Sequence, residues 1–292
     1  MTTTAPPRAL SLDLALSDRL RAGVVRGRVH STFARVVNLE ADDGTLVSLS
    51  ARTVDDGPWA IRADVAGWAP ERWTPGRRVE IGRDVVRLET DPHPALVVTD
   101  AGIWAPRIAP LPDDPAGLVP GMDVLAAIAE RASTPADAFS AAVAARLRDG
   151  VGAIVRGELA GDAQTLGSGI RALLGLGPGL TPSGDDVLAG LALVATRPGS
   201  RVAVYLPALE RALERRGATT TLVSRAMLRA ALAGRARHSV MRLLLRLSAP
   251  ADGAALHDAA RAVAAIGHTS GIDLITGILA GLRLETELRG TA

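Results

Sequence analysis

The chain has 292 residues and no cysteine, and its 33 basic residues, all arginine, face 31 acidic ones for a formal net charge of +2. These absences exclude disulfides, thiolate metal sites and a cysteine nucleophile, and also a Schiff-base lysine, a pyridoxal phosphate lysine and the lysine of a Walker-type phosphate loop. The length suggests about two domains. With 48% hydrophobic but only 2% aromatic residues, their cores must be built from Leu, Val, Ile and Ala, which suits packed helices. A sequence pI near 10.1 carries little meaning here, because almost nothing in this composition titrates between neutral pH and the arginine range.

In chain order, Met1 to Pro7 is polar and reads as a frayed end, and residues 1–20 as a flexible or helical N-terminal segment. Asp13 and Asp18 interrupt the nearby apolar stretch, so no signal peptide is expected. No apolar run has membrane-spanning length either, which makes a cytoplasmic location the expectation. From Val24 to Leu88 the pattern predicts strands. Phe33 to Leu39 alternates, Asp42-Asp43-Gly44 supplies a turn and Leu46 to Leu49 runs back, forming a hairpin; a second hairpin turns at Gly82-Arg83-Asp84 between Val79–Ile81 and Val85–Leu88. Trp59, Trp68 and Trp73 fall between the hairpins and are expected to plug a small β core. Residues 21–110 therefore read as an antiparallel β-rich barrel or sandwich, in an α+β chain whose second domain is helical.

The proline-rich stretches Asp91 to Pro94 and Pro106 to Pro120 place the domain boundary between about residues 90 and 120, and 111–292 reads as the α-helical domain. Helices are predicted over Met122–Arg131, from Thr134-Pro135 to near Gly150, over Val202–Arg216, Thr219–Ala233, His238–Ser248 and Leu256–Ile266, and from Ser270 to about Leu288. Val151 to Leu159 stays ambiguous. Thr220 and Ser224 share one helix face beside Arg225, where hydroxyls ordinarily bond back to their own carbonyls.

The most informative stretch is Gly175 to Gly190, a glycine- and proline-rich loop that runs into an apolar helix. Gly175, Gly177 and Gly179 permit positive φ or close backbone approach. The helix starts with Thr181 as N-cap and Pro182 first in the helix, or with Ser183 as N-cap and Asp186 as a capping-box carboxylate. These residue types also make an ordinary loop and cap. A recurrence argues for more. Ser183-Gly-Asp-Asp186-Val-Leu-Ala-Gly190-Leu is echoed 87 residues later by Ser270-Gly-Ile-Asp273-Leu-Ile-Thr-Gly277-Ile. Each copy places an aspartate in the first turns of a helix and a glycine where another helix can approach. Two such helices, packed together, aim both N-termini at one pocket, a natural anion site.

Candidate substrate-binding residues are Gly177, Gly179, Thr181, Ser183, Gly184, Asp185, Thr269, Ser270, Gly271 and Asp273. Candidate catalytic residues are Ser183, Asp186 and His268, the last being the histidine placed to act as general acid or base beside the second Ser-Gly. Asp185 and Asp186 are also candidates for Mg²⁺; adjacent helical carboxylates diverge, so one on an ion, or one on a backbone N–H, is expected over both on one ion. Ten arginines against two glutamates between Arg201 and Arg246 are solvated helix faces or a field that draws in anionic substrates.

The glycine-rich motif Gly177-Pro-Gly-Leu-Thr-Pro-Ser-Gly-Asp-Asp186 with Leu188-Ala-Gly190, together with Gly267-His-Thr-Ser-Gly271, Asp273 and Gly277-Ile-Leu279, resembles the bacterial family of the AllH-type subunit of oxamate carbamoyltransferase. The resemblance extends over most of the chain, including His30-Ser31-x-Phe33. It implies carbamoyl transfer between carbamoyl phosphate and oxamate, with oxalurate as the other partner, in allantoin breakdown, and a hetero-complex with AllF-like and AllG-like subunits. Two other classes stay open, a non-catalytic subunit that binds a small carboxylate or phosphate, and a nucleic-acid-binding module. The latter is disfavoured because the arginines lack interleaved aromatics.

Overall fold

The computed structural model describes residues 5–131, 137–248 and 253–290. The chain falls into two units, Met1–Pro106 and Arg107–Ala292. In the first, the elements are β1 (Ala9–Asp13), α1 (Leu14–Ala22), β2 (Val25–Thr32), β3 (Val36–Ala41), β4 (Leu46–Ala51), β5 (Ala60–Ala63), β6 (Arg78–Ile81), β7 (Val85–Leu88), β8 (Leu96–Val97) and β9 (Gly102–Trp104). They make one mixed sheet of order β8-β7-β6-β2-β3-β4-β5-β1-β9. It curls until Arg8, just before β1, bridges to Val97 in the edge strand β8. Both predicted hairpins form, β3 with β4 and β6 with β7, and Gly44 takes the positive φ of 80° that the first turn needs.

Two features differ from the sequence reading. The sheet is not wholly antiparallel: β4 pairs with β5, and β1 with β9, in parallel. Turn chemistry sets direction only for strands joined by a tight turn, and neither pair is so joined. Residues 9–13, expected to be flexible or helical, are instead a strand between β5 and β9. Its polar members hid it: Ser11 and Asp13 are both buried. The Asp13 carboxylate accepts from the Trp59 N–H at 3.0 Å and from the Leu16 N–H that opens α1 at 3.4 Å. Trp68 and Trp73 are buried in this core, edge to face with centroids 5.4 Å apart.

The second unit is helical: α2 (Val119–Arg131), α3 (Ala138–Leu159), α4 (Ala163–Leu173), α5 (Ser183–Ala195), α6 (Tyr205–Arg216), α7 (Leu222–Leu232), α8 (His238–Ser248), α9 (Gly253–Ala264) and α10 (Ser270–Gly290). The predicted opening at Thr134-Pro135 lies outside the described residues. Gly150 does not end a helix. α3 runs through it because a side chain there would overlap Leu173 of α4, so the glycine serves packing and not termination. The start of α4, unforeseen, is written in Asp162, whose carboxylate accepts from the Gln164 and Thr165 N–H groups at 2.9 and 3.2 Å.

The centre of the unit is α5, buried from Gly184 through Ala195, as its all-round apolar sequence requires. Beyond its end, Arg197 is buried. It donates to the carbonyls of Ala109, Pro110 and Leu244 and to the Ser248 hydroxyl, and burial pulls its pKa down to about 10. The arginine-rich stretch resolves mainly into solvated faces: Arg211, Arg215, Arg216, Arg229, Arg242 and Arg246 are exposed on α6, α7 and α8. No helix among the described residues is long and apolar enough to cross a membrane.

Candidate active site at two paired helix starts

The site begins with a close approach of α5 and α10. A Cβ on Gly190 would overlap the Leu274 carbonyl, and one on Gly277 would overlap the Val187 carbonyl. Further along, Gly281 faces Val194. Contacts that advance together along both helices mean that the two run parallel, with their N-termini at the same end. The arrangement is also reciprocal: adding 87 to Val187 and Gly190 gives Leu274 and Gly277. The sequence repeat is therefore a local two-fold in space.

The segments leading into the helices follow the same rule. Leu176 N–H donates to the Leu173 carbonyl and Gly184 N–H to the Leu176 carbonyl, each at 2.9 Å; Ile266 N–H donates to Val263 at 2.9 Å and Gly271 N–H to Ile266 at 3.0 Å. Gly184 and Gly271 lie flat against the carbonyls of Leu173 and Val263, leaving no room for a Cβ. Gly177 and Gly267, one residue after the shared turn, both have positive φ. The first loop is the longer, and carries the extra positive-φ Gly179. The N–H groups of Gly184 and Gly271 are thus committed to the loops, and those of Asp185 and Asp186 to the Pro182 carbonyl. Pro182 is the N-cap residue of α5, with no side-chain cap. Neither of the two capping schemes is adopted, and Ser183 is left free of that duty.

What the two helix starts present to each other is side chains. The Ser270 and Thr181 hydroxyls approach the Asp186 carboxyl and favour its ionised form, while the Ser183 and Thr269 hydroxyls do the same for Asp273. The Thr181 and Ser270 hydroxyls are hydrogen-bonded to each other at 2.7 Å. Each serine therefore serves the aspartate of the opposite helix. Burial outweighs the hydroxyls: it raises the pKa of Asp186 to about 8, helped by the nearby Asp273 and Asp185 charges, and raises that of Asp273 as well. In both carboxyls Oδ2 is buried with no hydrogen-bond partner. Orphaned acceptors of this kind are uncommon in folded proteins and call for an explanation.

Asp185 faces elsewhere. Its Oδ1 accepts the Gly175 N–H at 2.9 Å, and its Oδ2 accepts the Thr220 hydroxyl, with Ser224 adding a further hydrogen bond. One carboxylate thus fastens the glycine-rich loop to the start of α7, where Thr221 and Ser224 also hold the Leu180 carbonyl. Thr220, just before α7, bonds across to Asp185 of α5, and Ser224 bonds to Asp185 and to the loop carbonyl of Leu180, in place of the back-bonding to their own helix that was expected. Their four-residue spacing was visible in the sequence, but the partner was not. Asp185→Ala, which strands the Gly175 N–H and the Thr220 hydroxyl, is expected to cost about 1–3 kcal/mol in a denaturant melt. His268 and Thr269 stand exposed at the mouth of the second loop, Gly179 is exposed in the first, and Ser183 and Ser270 are half-buried. Among the described residues no group of three or more His, Cys, Asp or Glu could hold a metal ion.

Residues 173–282, which span this site, match the family model described as oxamate carbamoyltransferase subunit AllH, and residues 8–101 match the AllH family N-terminal domain. The chain belongs to the AllH family. No solved structure matches it.

Proposed function

We propose that the chain is a subunit of an oxamate carbamoyltransferase that moves a carbamoyl group between carbamoyl phosphate and oxamate, with oxalurate as the carbamoylated partner, and that the reacting groups bind between the starts of α5 and α10. The observation that carries this reading is the reciprocal facing of Ser183 with Asp273 and of Ser270 with Asp186 inside the segment that matches the subunit family. In the direction of oxalurate formation, the oxamate nitrogen bonds to the carbamoyl carbon and gives up a proton. The carbon–oxygen bond to phosphate breaks, its electron pair leaving with phosphate. His268, at the exposed mouth, is the group to take that proton. The carboxyl of Asp186, neutral at pH 7, is the group to donate a hydrogen bond to the oxyanion that forms on the carbamoyl carbon. Other subunits, of AllF and AllG type, complete the complex.

The test is ligand-dependent stabilisation of the full chain by carbamoyl phosphate, oxamate and oxalurate, since a ligand at a hundred times its dissociation constant adds about 2.7 kcal/mol. Ser183→Ala and Ser270→Ala should each weaken binding of the same ligand, with a coupling of about 0.5 kcal/mol or more in the double-mutant cycle. If none of the three ligands stabilises the chain, alone or with its partner subunits, the reading fails.

A further inference from the structure

The orphaned oxygens make the site more specific than an anion pocket. The amides of Gly184 and Gly271 are committed to loop carbonyls and those of Asp185, Asp186 and Asp273 to the carbonyls of Pro182 and Thr269, and the buried side-chain atoms of the two helix starts without a hydrogen-bond partner are oxygens, Oδ2 of Asp186 and Oδ2 of Asp273. Asp186 is 2% exposed, and the groups around its carboxyl are Ser270, Asp273 and Thr181, so it is aimed across the start of α10. Of the two carboxyls, Asp186 is neutral at pH 7 and Asp273, once ionised, repels a carboxylate or phosphate oxygen placed against its Oδ2. The pair suits a group that brings N–H donors.

We infer that Asp186 and Asp273 together grip the NH₂ end of a small planar primary amide or carbamoyl compound, so that the site selects the amide and rejects the carboxylate of the same shape. The inference rests on the proposed carbamoyl chemistry and names the end of the substrate that these helices hold. A neutral carboxylic acid offers one O–H donor and one carbonyl acceptor, the complement of an amide's carbonyl and N–H, so Asp186 closes a ring of two hydrogen bonds with one edge of the amide. Asp273 on the opposite helix accepts the second N–H. Ser183 and Ser270 hold the carboxyls in place and do not read the ligand. The local two-fold matters here, because the two N–H bonds of a planar NH₂ group diverge in one plane and call for acceptors on two sides.

The test is calorimetric titration of the full chain with oxamate and with oxalate, which differ only in NH₂ against O⁻ at one end. The parent should prefer oxamate by at least about tenfold, a ratio equivalent to 1.4 kcal/mol. Asp273→Asn removes the charge and puts an N–H₂ donor in its place, so it should shift the preference toward oxalate by a similar factor. Asp273→Ser, smaller and neutral, serves as the second variant should the asparagine disturb folding, and it should likewise erode the preference. Ser183→Ala should weaken both ligands in parallel. Equal binding of oxamate and oxalate by the parent, or a preference that neither Asp273 variant moves, would overturn the inference and leave the carbamoyltransferase reading standing. Failure of oxamate, oxalurate and carbamoyl phosphate to bind at all would overturn that reading, and the inference with it.

Discussion

Replacing Gly190 or Gly277 by alanine is expected to destabilise the helical unit by about 1–3 kcal/mol each, and replacement by leucine by more. Ordinarily a glycine-to-alanine change inside a helix stabilises by roughly 0.5–1 kcal/mol, because glycine loses more conformational freedom on folding. Here the added methyl meets backbone. At Gly190 it overlaps the Leu274 carbonyl and lies 2.8 Å from the Ile278 nitrogen; at Gly277 it overlaps the Val187 carbonyl and lies 2.8 Å from the carbonyl carbon. No rotamer relieves such a contact, so the helices must move apart along the seam that brings the two serine–aspartate pairs together. The two substitutions should also be non-additive, the double variant losing less than the sum, because the first already opens the seam that the second would strain. Gly253→Ala is the control: nothing lies within 4 Å of that position, and the variant should melt at or above the parent. Gly190 and Gly277 variants that melt like the parent would mean that the helices do not meet as described.

This seam was legible in the sequence because a repeat of Ser-Gly-x-Asp with a later glycine constrains geometry twice over. A single copy is compatible with any capped helix. Two copies that both spend a glycine at the same step point to a face where backbones touch. The hairpins were equally legible, since Asp42-Asp43-Gly44 and Gly82-Arg83-Asp84 are local turn chemistry. What the sequence did not disclose was the use of groups whose partners are remote. Ser11 and Asp13 read as polar and therefore as exposed, yet they are buried in β1 by strands that arrive much later in the chain. The amides of Gly184 and Gly271 read as free donors at helix starts, yet loop carbonyls take them. That last difference changes the chemistry of the site. Several donors that were to make it an anion nest, the N–H groups of Gly184, Asp185, Asp186 and Gly271, are occupied, and the carboxyls of Asp186 and Asp273 stand paired beside them. Asp185 and Asp186, adjacent in sequence, divide between fastening a loop and facing the opposite helix, and nothing short of the positions of Gly175, Thr220 and Ser270 could have told them apart.

The parent protein should lose stability as pH rises from about 4 to about 8, and Asp186→Asn should lose much less. An aspartate in the unfolded chain releases its proton near pH 3.9, whereas burial and the nearby Asp273 and Asp185 charges hold the proton on Asp186 up to about pH 8. Between those values the native state carries a proton that the unfolded state has released. Unfolding then becomes easier with each unit of pH, by at most about 1.4 kcal/mol per unit for one group, and the trend levels off above the native pKa. Asp185 and Asp273, also raised by burial, act in the same sense, so the variant keeps a shallower slope. Asparagine cannot ionise, and its amide can donate to the Asp273 carboxylate. The difference between variant and parent should therefore grow in the variant's favour from pH 5 to pH 8. Urea melts at half-unit steps would measure it. The carboxylates whose pKa values are lowered, Asp42, Asp43, Asp91, Asp137 and Asp162, have the opposite sign but titrate below pH 4, outside this window. Parallel curves for parent and variant between pH 5 and pH 8 would show that Asp186 is already ionised there. It would then have no proton to offer to an oxyanion or to one edge of an amide.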